Sequence, residues 1–132
     1  MCGITGILNL DGDPVAPRVV RAMADAVRHR GPDGEGTYTD GVLGLGHRRL
    51  AILDRTSAAE QPMATPDGRF VLTYNGEVYN FQELRRELEA HGWRFRSRGD
   101  TEVVLYALAQ WGEDALRRFN GMFAFALWDR DR

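Results

Sequence analysis

The only cysteine of the chain stands at position 2, directly after Met1, in the opening stretch MCGITGILNL. A thiol attacks carbonyl carbon as the thiolate, and at its ordinary pKa of about 8.5 it is mostly protonated at neutral pH. It needs a base. Removal of Met1, which a small second residue favours, would make Cys2 the first residue. Its own α-amino group, with an ordinary pKa of about 7.7–8.0, would then lie within reach of the sulfur. One residue would act as nucleophile and base together, a variant of the N-terminal-amine arrangement. The competing reading is a small apolar side chain that opens a strand. Gly3 leaves room beside the thiol in either case.

Three further groups have chemistry to offer. Arg49 lies among apolar residues in HRRLAIL, where a buried guanidinium needs a partner and its forked donors suit a carboxylate. Local residues also allow it to be a strand-edge arginine whose head reaches solvent. Arg48, one position earlier, is expected to face solvent because strand side chains alternate. YNGEVYN, at 74–80, contains Asn-Gly, ordinarily a hairpin turn, but no second strand follows it. At a strand end, a Gly76 N–H and the Asn75 carboxamide would converge as two donors, which describes an oxyanion hole. Glu77 adds a carboxylate at the same rim, or is simply solvated. Asp100, in RGDTEV, reads locally as a helix N-cap, worth about 1 kcal/mol.

The elements that must position these groups follow from periodicity. Residues 2–10 read as a buried strand and 15–29 as an amphipathic helix, with Val19, Val20, Met23, Ala26 and Val27 on one face. HRGPDGEG, at 29–36, reads as a loop because of Pro32 and three glycines. Strands are expected at 42–54, 69–74, 93–97 and 122–129. Helices are expected over FQELRRELEAHG, with Asn80 and Glu83 as a capping pair, and over 101–111. Two strands joined without a helix between them predict antiparallel pairing in an α+β domain, with sheets stacked and helices outside.

Composition excludes several function classes. A length of 132 residues suits one domain. The net charge of −2 argues against a nucleic-acid or anionic-membrane partner. One cysteine cannot form an internal disulfide, which fits a reducing compartment. Cys2, His29, His47 and His91 show no metal-ligand spacing. No signal peptide or membrane span is read, so a cytoplasmic location is expected. The chain stops directly after a strand, and a C-terminally truncated domain is expected.

Taken in order, MCGITGI, HRGPDG, HRRLAILD, QPM, YNGEVYN, SRGDTEV and NGMFAFALWD resemble the glutaminase domain of asparagine synthetases. These are class II glutamine amidotransferases of the N-terminal nucleophile hydrolase type. The resemblance implies a four-layer αββα sandwich in which residues 1–132 form the N-terminal part of the glutaminase domain. It implies hydrolysis of L-glutamine to glutamate and ammonia by Cys2, with Asn75 and Gly76 holding the oxyanion. Arg49 would pair with the substrate α-carboxylate, the backbone of Leu50, Ala51, Ile52 and Leu53 would line the ligand, and Glu77 and Asp100 would face its α-amino group. No cofactor or metal is implied here. ATP and magnesium would belong to a synthetase domain absent from this chain, which would receive the ammonia in cis or in trans, and a homodimer is possible for the family. A reading from another class is a non-catalytic module that holds glutamine or docks a partner.

Overall fold

The computed structural model describes residues 1–52 and 54–132, so Leu53 lies outside the described residues. Two three-stranded antiparallel sheets face each other. The first has the order β1-β3-β2, from β1 (Gly3–Leu8), β2 (Gly34–Asp40) and β3 (Leu43–Arg49). The second has the order β4-β5-β6, from β4 (Met63–Ala64), β5 (Phe70–Val78) and β6 (Gly121–Asp129). Helix α1 (Pro17–Ala26) covers the outer face of the first sheet. Helices α2 (Phe81–Ala90) and α3 (Asp100–Trp111) cover that of the second. The layers are therefore α, β, β, α. Among the described residues, no helix is long and apolar enough to cross a membrane.

Alternation along β3 explains the first half. Leu43, Leu45 and His47 turn inward to the second sheet, and residues 44, 46 and 48 turn outward to α1. Glycine occupies 44 because α1 packs on bare backbone there: a Cβ would overlap Val20 and stand 3.0 Å from Val15 Cγ1. Pro17 starts α1 at its first turn, where its missing N–H costs nothing. Arg48 departs from its sequence reading. The alternation holds, but the outward face is covered, and Arg48 is only 7% exposed. Its Nε donates to Ala24 O at 3.2 Å, and its guanidinium pairs with Asp25 and, at 2.8 Å, with Glu35.

The larger core lies between the second sheet and its helices. Leu72, Tyr74 and Val78 of β5 meet Val103 to Leu108 of α3 and Leu84 and Leu88 of α2. Burying a large apolar side chain of this kind contributes roughly 1.5–3 kcal/mol. Between the sheets, Leu43, Leu45 and Val71 form a smaller apolar cluster with Tyr38, Ala126 and Trp128. Toward one end this layer turns polar. Thr73 Oγ1 donates to Gly46 O at 3.2 Å, and His47 Nε2 meets Tyr74 O at 3.1 Å.

Several expectations are corrected. The segment read as a loop to residue 36 enters β2 at Gly34, and the strand over 34–40 had no counterpart in the sequence reading. The strand expected over 42–54 ends at Arg49, and that expected over 69–74 continues to Val78. Residues 93–97 form no strand. Trp93 and Phe95 alternate in order to pack on Tyr106, with centroids 4.4 and 5.0 Å away. The N–H groups of Arg96 and Ser97 go to the buried Glu102 carboxylate instead of to a ladder. Asn80 precedes α2 but makes no side-chain cap. Its carboxamide instead bonds Arg118 O and Asn120 N, which ties α2 to the turn before β6.

Candidate active site

A cleft of about 260 Å³ opens where the inward ends of β1, β3 and β5 meet. That is slightly below the roughly 300–1,000 Å³ typical of drug-sized ligands, and suits something as small as an amino acid. Cys2 sits on its wall just before β1, half-buried. The Leu50 N–H points to Cys2 Sγ at 3.3 Å, and the sulfur stands 3.7 Å from Leu50 O. Arg30 Nε donates to Cys2 O at 3.1 Å and fixes the backbone just before β1. Met1 also lines the cleft and is 71% exposed.

The free edge of β5 forms the opposite wall. In an antiparallel strand, successive N–H groups point to alternate sides. The N–H groups of Tyr74 and Val78 leave β6 and go to side chains: Gln61 Oε1 at 2.6 Å and Asp100 Oδ2 at 2.9 Å. Gly76 stands midway between them and has the same direction. Among the described residues, nothing accepts its N–H. One unpaired donor therefore faces the cleft between two paired ones. Gly76 is not at a positive φ. Its lack of a side chain is a matter of space, since a Cβ would stand 2.6 Å from Phe123 Cα and against Met122 O. The neighbouring Asn75 also lines the cleft, and no protein partner engages its carboxamide among the described residues.

The segment after β3 makes the third wall. Arg49 NH1 donates to Thr56 O at 2.9 Å, and NH2 donates to Asp54 O, so the guanidinium pins this segment from within. Among the described residues, three of its five N–H donors are left over for another ligand. Asp33 grips the same segment from outside. Its Oδ2 accepts from Ala51 N at 2.9 Å, and its own N–H donates to Arg49 O at 2.9 Å. Asp54 then joins this wall to the residues before α3, accepting from Arg98 N at 2.8 Å and from Thr56 N and Oγ1. Those hydrogen bonds, led by the Thr56 hydroxyl, hold its carboxyl down to about 2.

Asp100 is only 6% exposed and is the first residue of α3, with Gly99 in the cap position. The N-cap reading is thus replaced. Oδ2 accepts from Tyr74 OH at 2.7 Å as well as from Val78 N. Burial first, and then this bond to Asp100, push the Tyr74 phenol well above its ordinary pKa. Burial also pushes His47 down, to about 4, against the opposing pull of its bond to the Tyr74 carbonyl. Among the described residues, no group of three or more His, Cys, Asp or Glu side chains is gathered to hold a metal.

The chain that builds this cleft matches a known family. The family described as "Glutamine amidotransferase domain" matches residues 1–132. The chain belongs to this family. Asparagine synthetase [glutamine-hydrolyzing] 1 of Bacillus subtilis (strain 168) is 38% identical over 136 residues, covering 99% of this chain and 21% of its own length. Asparagine synthetase [glutamine-hydrolyzing] 1 of Arabidopsis thaliana is 41% identical over 130 residues, covering 98% of this chain and 22% of its own. The chain thus spans about a fifth of the length of these curated relatives. Among solved structures, glutamine phosphoribosylpyrophosphate amidotransferase from B. subtilis, complexed with ADP and GMP, superposes with a TM-score of 0.79 at 21% identity. That match covers 98% of this chain and 35% of the other, and shows the shared fold.

Within this amidotransferase domain, Cys2, Arg49, Leu50, Ala51, Ile52, Asn75, Gly76, Glu77 and Asp100 all line the one cleft. Leu53 falls outside the described residues. Ile52 is 61% exposed at the rim, and Glu77 is exposed with no protein partner among the described residues. The sequence reading assigned no role to Gln61, Asp33, Arg30 or Asp54. All four lie in motifs it quoted, QPM, HRGPDG and HRRLAILD, whose order was the available signal.

Proposed function

We propose that the cleft hydrolyses the side-chain amide of L-glutamine to glutamate and ammonia, with Cys2 as nucleophile. The observation that carries this reading is the unpaired Gly76 N–H, held between two paired neighbours in the same cleft as the Cys2 sulfur. After Met1 is removed, the free Cys2 amine accepts the thiol proton, while the Leu50 N–H points at the sulfur. The sulfur bonds to the amide carbon, and the carbonyl electrons move to oxygen. Gly76 N–H and the Asn75 carboxamide receive the resulting oxyanion. Its collapse expels the amide nitrogen, which takes the proton from the Cys2 ammonium and leaves as ammonia. Water then adds to the thioester through a second oxyanion, releasing glutamate and restoring the thiol.

Binding converts to orientation through the two charged ends of the substrate. The spare donors of Arg49 take the α-carboxylate, and the backbone of residues 50–53 lines the chain of the ligand. Glu77 and the second oxygen of Asp100 face the α-ammonium. Residues 1–132 form the N-terminal part of a glutamine amidotransferase type-2 domain. Its ammonia serves ATP-dependent asparagine synthesis from aspartate in a synthetase domain, which holds any ATP and magnesium. The likeness to glutamine-hydrolysing asparagine synthetases supports this. A cytoplasmic location and assembly as a homodimer belong to the same proposal.

The test is ammonia and glutamate release from L-glutamine, measured beside an intact mass that reports loss of Met1. Release that disappears in Cys2→Ser supports the reading. Undiminished release from Cys2→Ser, or from protein that retains Met1, overturns it.

A further inference from the structure

The N–H groups on the free edge of β5 have different partners, in order along the strand. Leu72 is in register with Met63 of β4, which ends the ladder on that side after two residues. Tyr74 N–H goes to Gln61, Gly76 N–H faces the cleft, and Val78 N–H goes to Asp100. Gln61 is only 7% exposed. Its Oε1 accepts from Tyr74 N at 2.6 Å, and its Nε2 donates to Thr101 Oγ1 at 3.4 Å. Its backbone is fixed as well. Gly36 of β2 passes so close that a Cβ there would overlap Gln61 O and stand 2.9 Å from Gln61 C.

Tyr74 is therefore held at every polar atom: its N–H by Gln61, its carbonyl by His47 at 3.1 Å, and its hydroxyl by Asp100 at 2.7 Å. It is the residue directly before Asn75 and Gly76. We infer that Gln61 is a positioning residue for this cleft: by capping Tyr74 N–H it fixes the strand edge, so that, among the described residues, Gly76 N–H is the one backbone donor of that edge left to face the oxyanion. This rests on the reading of the cleft as the site of glutamine hydrolysis. An oxyanion donor acts only if it is aimed at the tetrahedral oxygen, and a misplacement of about 1 Å costs roughly 10²-fold in rate. Losing the cap leaves a buried N–H to find water or to drag the edge out of line. Both outcomes disturb Gly76 in the transition state more than they disturb substrate binding.

Gln61→Met keeps length and burial but removes the acceptor, and Gln61→Glu keeps an acceptor. The experiment measures kcat and KM for ammonia release, the melting temperature, and amide hydrogen exchange at Tyr74 by NMR, in the wild type and both variants. Gln61→Met is expected to lower kcat about 10- to 100-fold with KM within about twofold, and to speed Tyr74 exchange at least about tenfold. Gln61→Glu is expected to keep Tyr74 protected and to lose less kcat than Gln61→Met. A Gln61→Met enzyme with wild-type kcat, or with its loss confined to KM, overturns the inference. If Gln61→Met does not fold, unprotected Tyr74 in Gln61→Glu or in the wild type overturns it, and protection in both upholds the cap. Wild-type protein that releases no ammonia would instead sink the reading of the cleft, while the exchange data still decide whether Gln61 caps Tyr74.

Discussion

Acidification should unfold the domain earlier than its carboxylates alone would require, and His47 is the reason. Its imidazole is 1% exposed between the two sheets, and burial lowers its pKa from 6.5 to about 4. Above pH 6.5 both the folded and unfolded chains hold it neutral, and it has no effect on the balance. As pH falls below 6.5 the unfolded chain takes up a proton that the folded chain refuses, so stability falls. The loss reaches roughly 2–3 kcal/mol at pH 4.5 and saturates at roughly 3 kcal/mol once the folded form also protonates. On a total of roughly 5–15 kcal/mol typical of a domain, a loss of that size lowers Tm by roughly 10 °C. Asp40, Asp54, Asp67 and Asp129, whose carboxyls are held below 3.8, lose their contribution only at still lower pH. Urea unfolding followed by tryptophan fluorescence at steps from pH 7.5 to 4.5 should therefore show this slope. His47→Gln keeps a donor for the Tyr74 carbonyl but cannot titrate, and should flatten the curve in that window. The same slope in His47→Gln as in the wild type would refute the argument.

Asn75→Ala should reduce kcat for ammonia release by about 10²–10³-fold while KM changes little, and an effect on KM alone would remove it from the oxyanion. Gly76→Ala sets a methyl group 2.6 Å from Phe123 Cα, where backbone cannot yield, and should lower stability by about 1–3 kcal/mol in urea titrations as well as abolishing turnover. Asp100→Ala strands the buried Tyr74 hydroxyl and Val78 N–H, at about 1–3 kcal/mol each, whereas Asp100→Asn keeps an acceptor and should cost less by thermal denaturation.

Regular periodicity made the helices and the apolar strands legible, and physical context explains the misses. Gly34 and Gly36 gave β2 the look of a loop, yet glycine is needed at 36 because the Gln61 carbonyl crosses there. Trp93 and Phe95 alternate as strand residues do, but Glu102 occupies the N–H groups that a neighbouring strand would need. The alternation at Arg48 and Arg49 was read correctly, and only the presence of α1 over one face was invisible. Residue types marked Cys2, Arg49 and the Asn75–Gly76 pair, because their chemistry is unusual at those places. Gln61 and Asp33 act through partners 13 and 18 positions away, and no local pattern betrays such a contact. The order of quoted motifs was the only trace of them.

The unfinished ladder beside β5 also limits strand addition. An exposed strand border is a template on which a foreign chain can add itself, and soluble proteins take steps to spoil it. Here β4 stops after two residues, and an amide and a carboxylate then occupy alternate positions, leaving, among the described residues, a single vacant rung inside a cavity. One rung cannot recruit an intruding strand, yet it suffices for the one oxygen anion of the proposed reaction. Chemistry and protection against aggregation draw on the same gap.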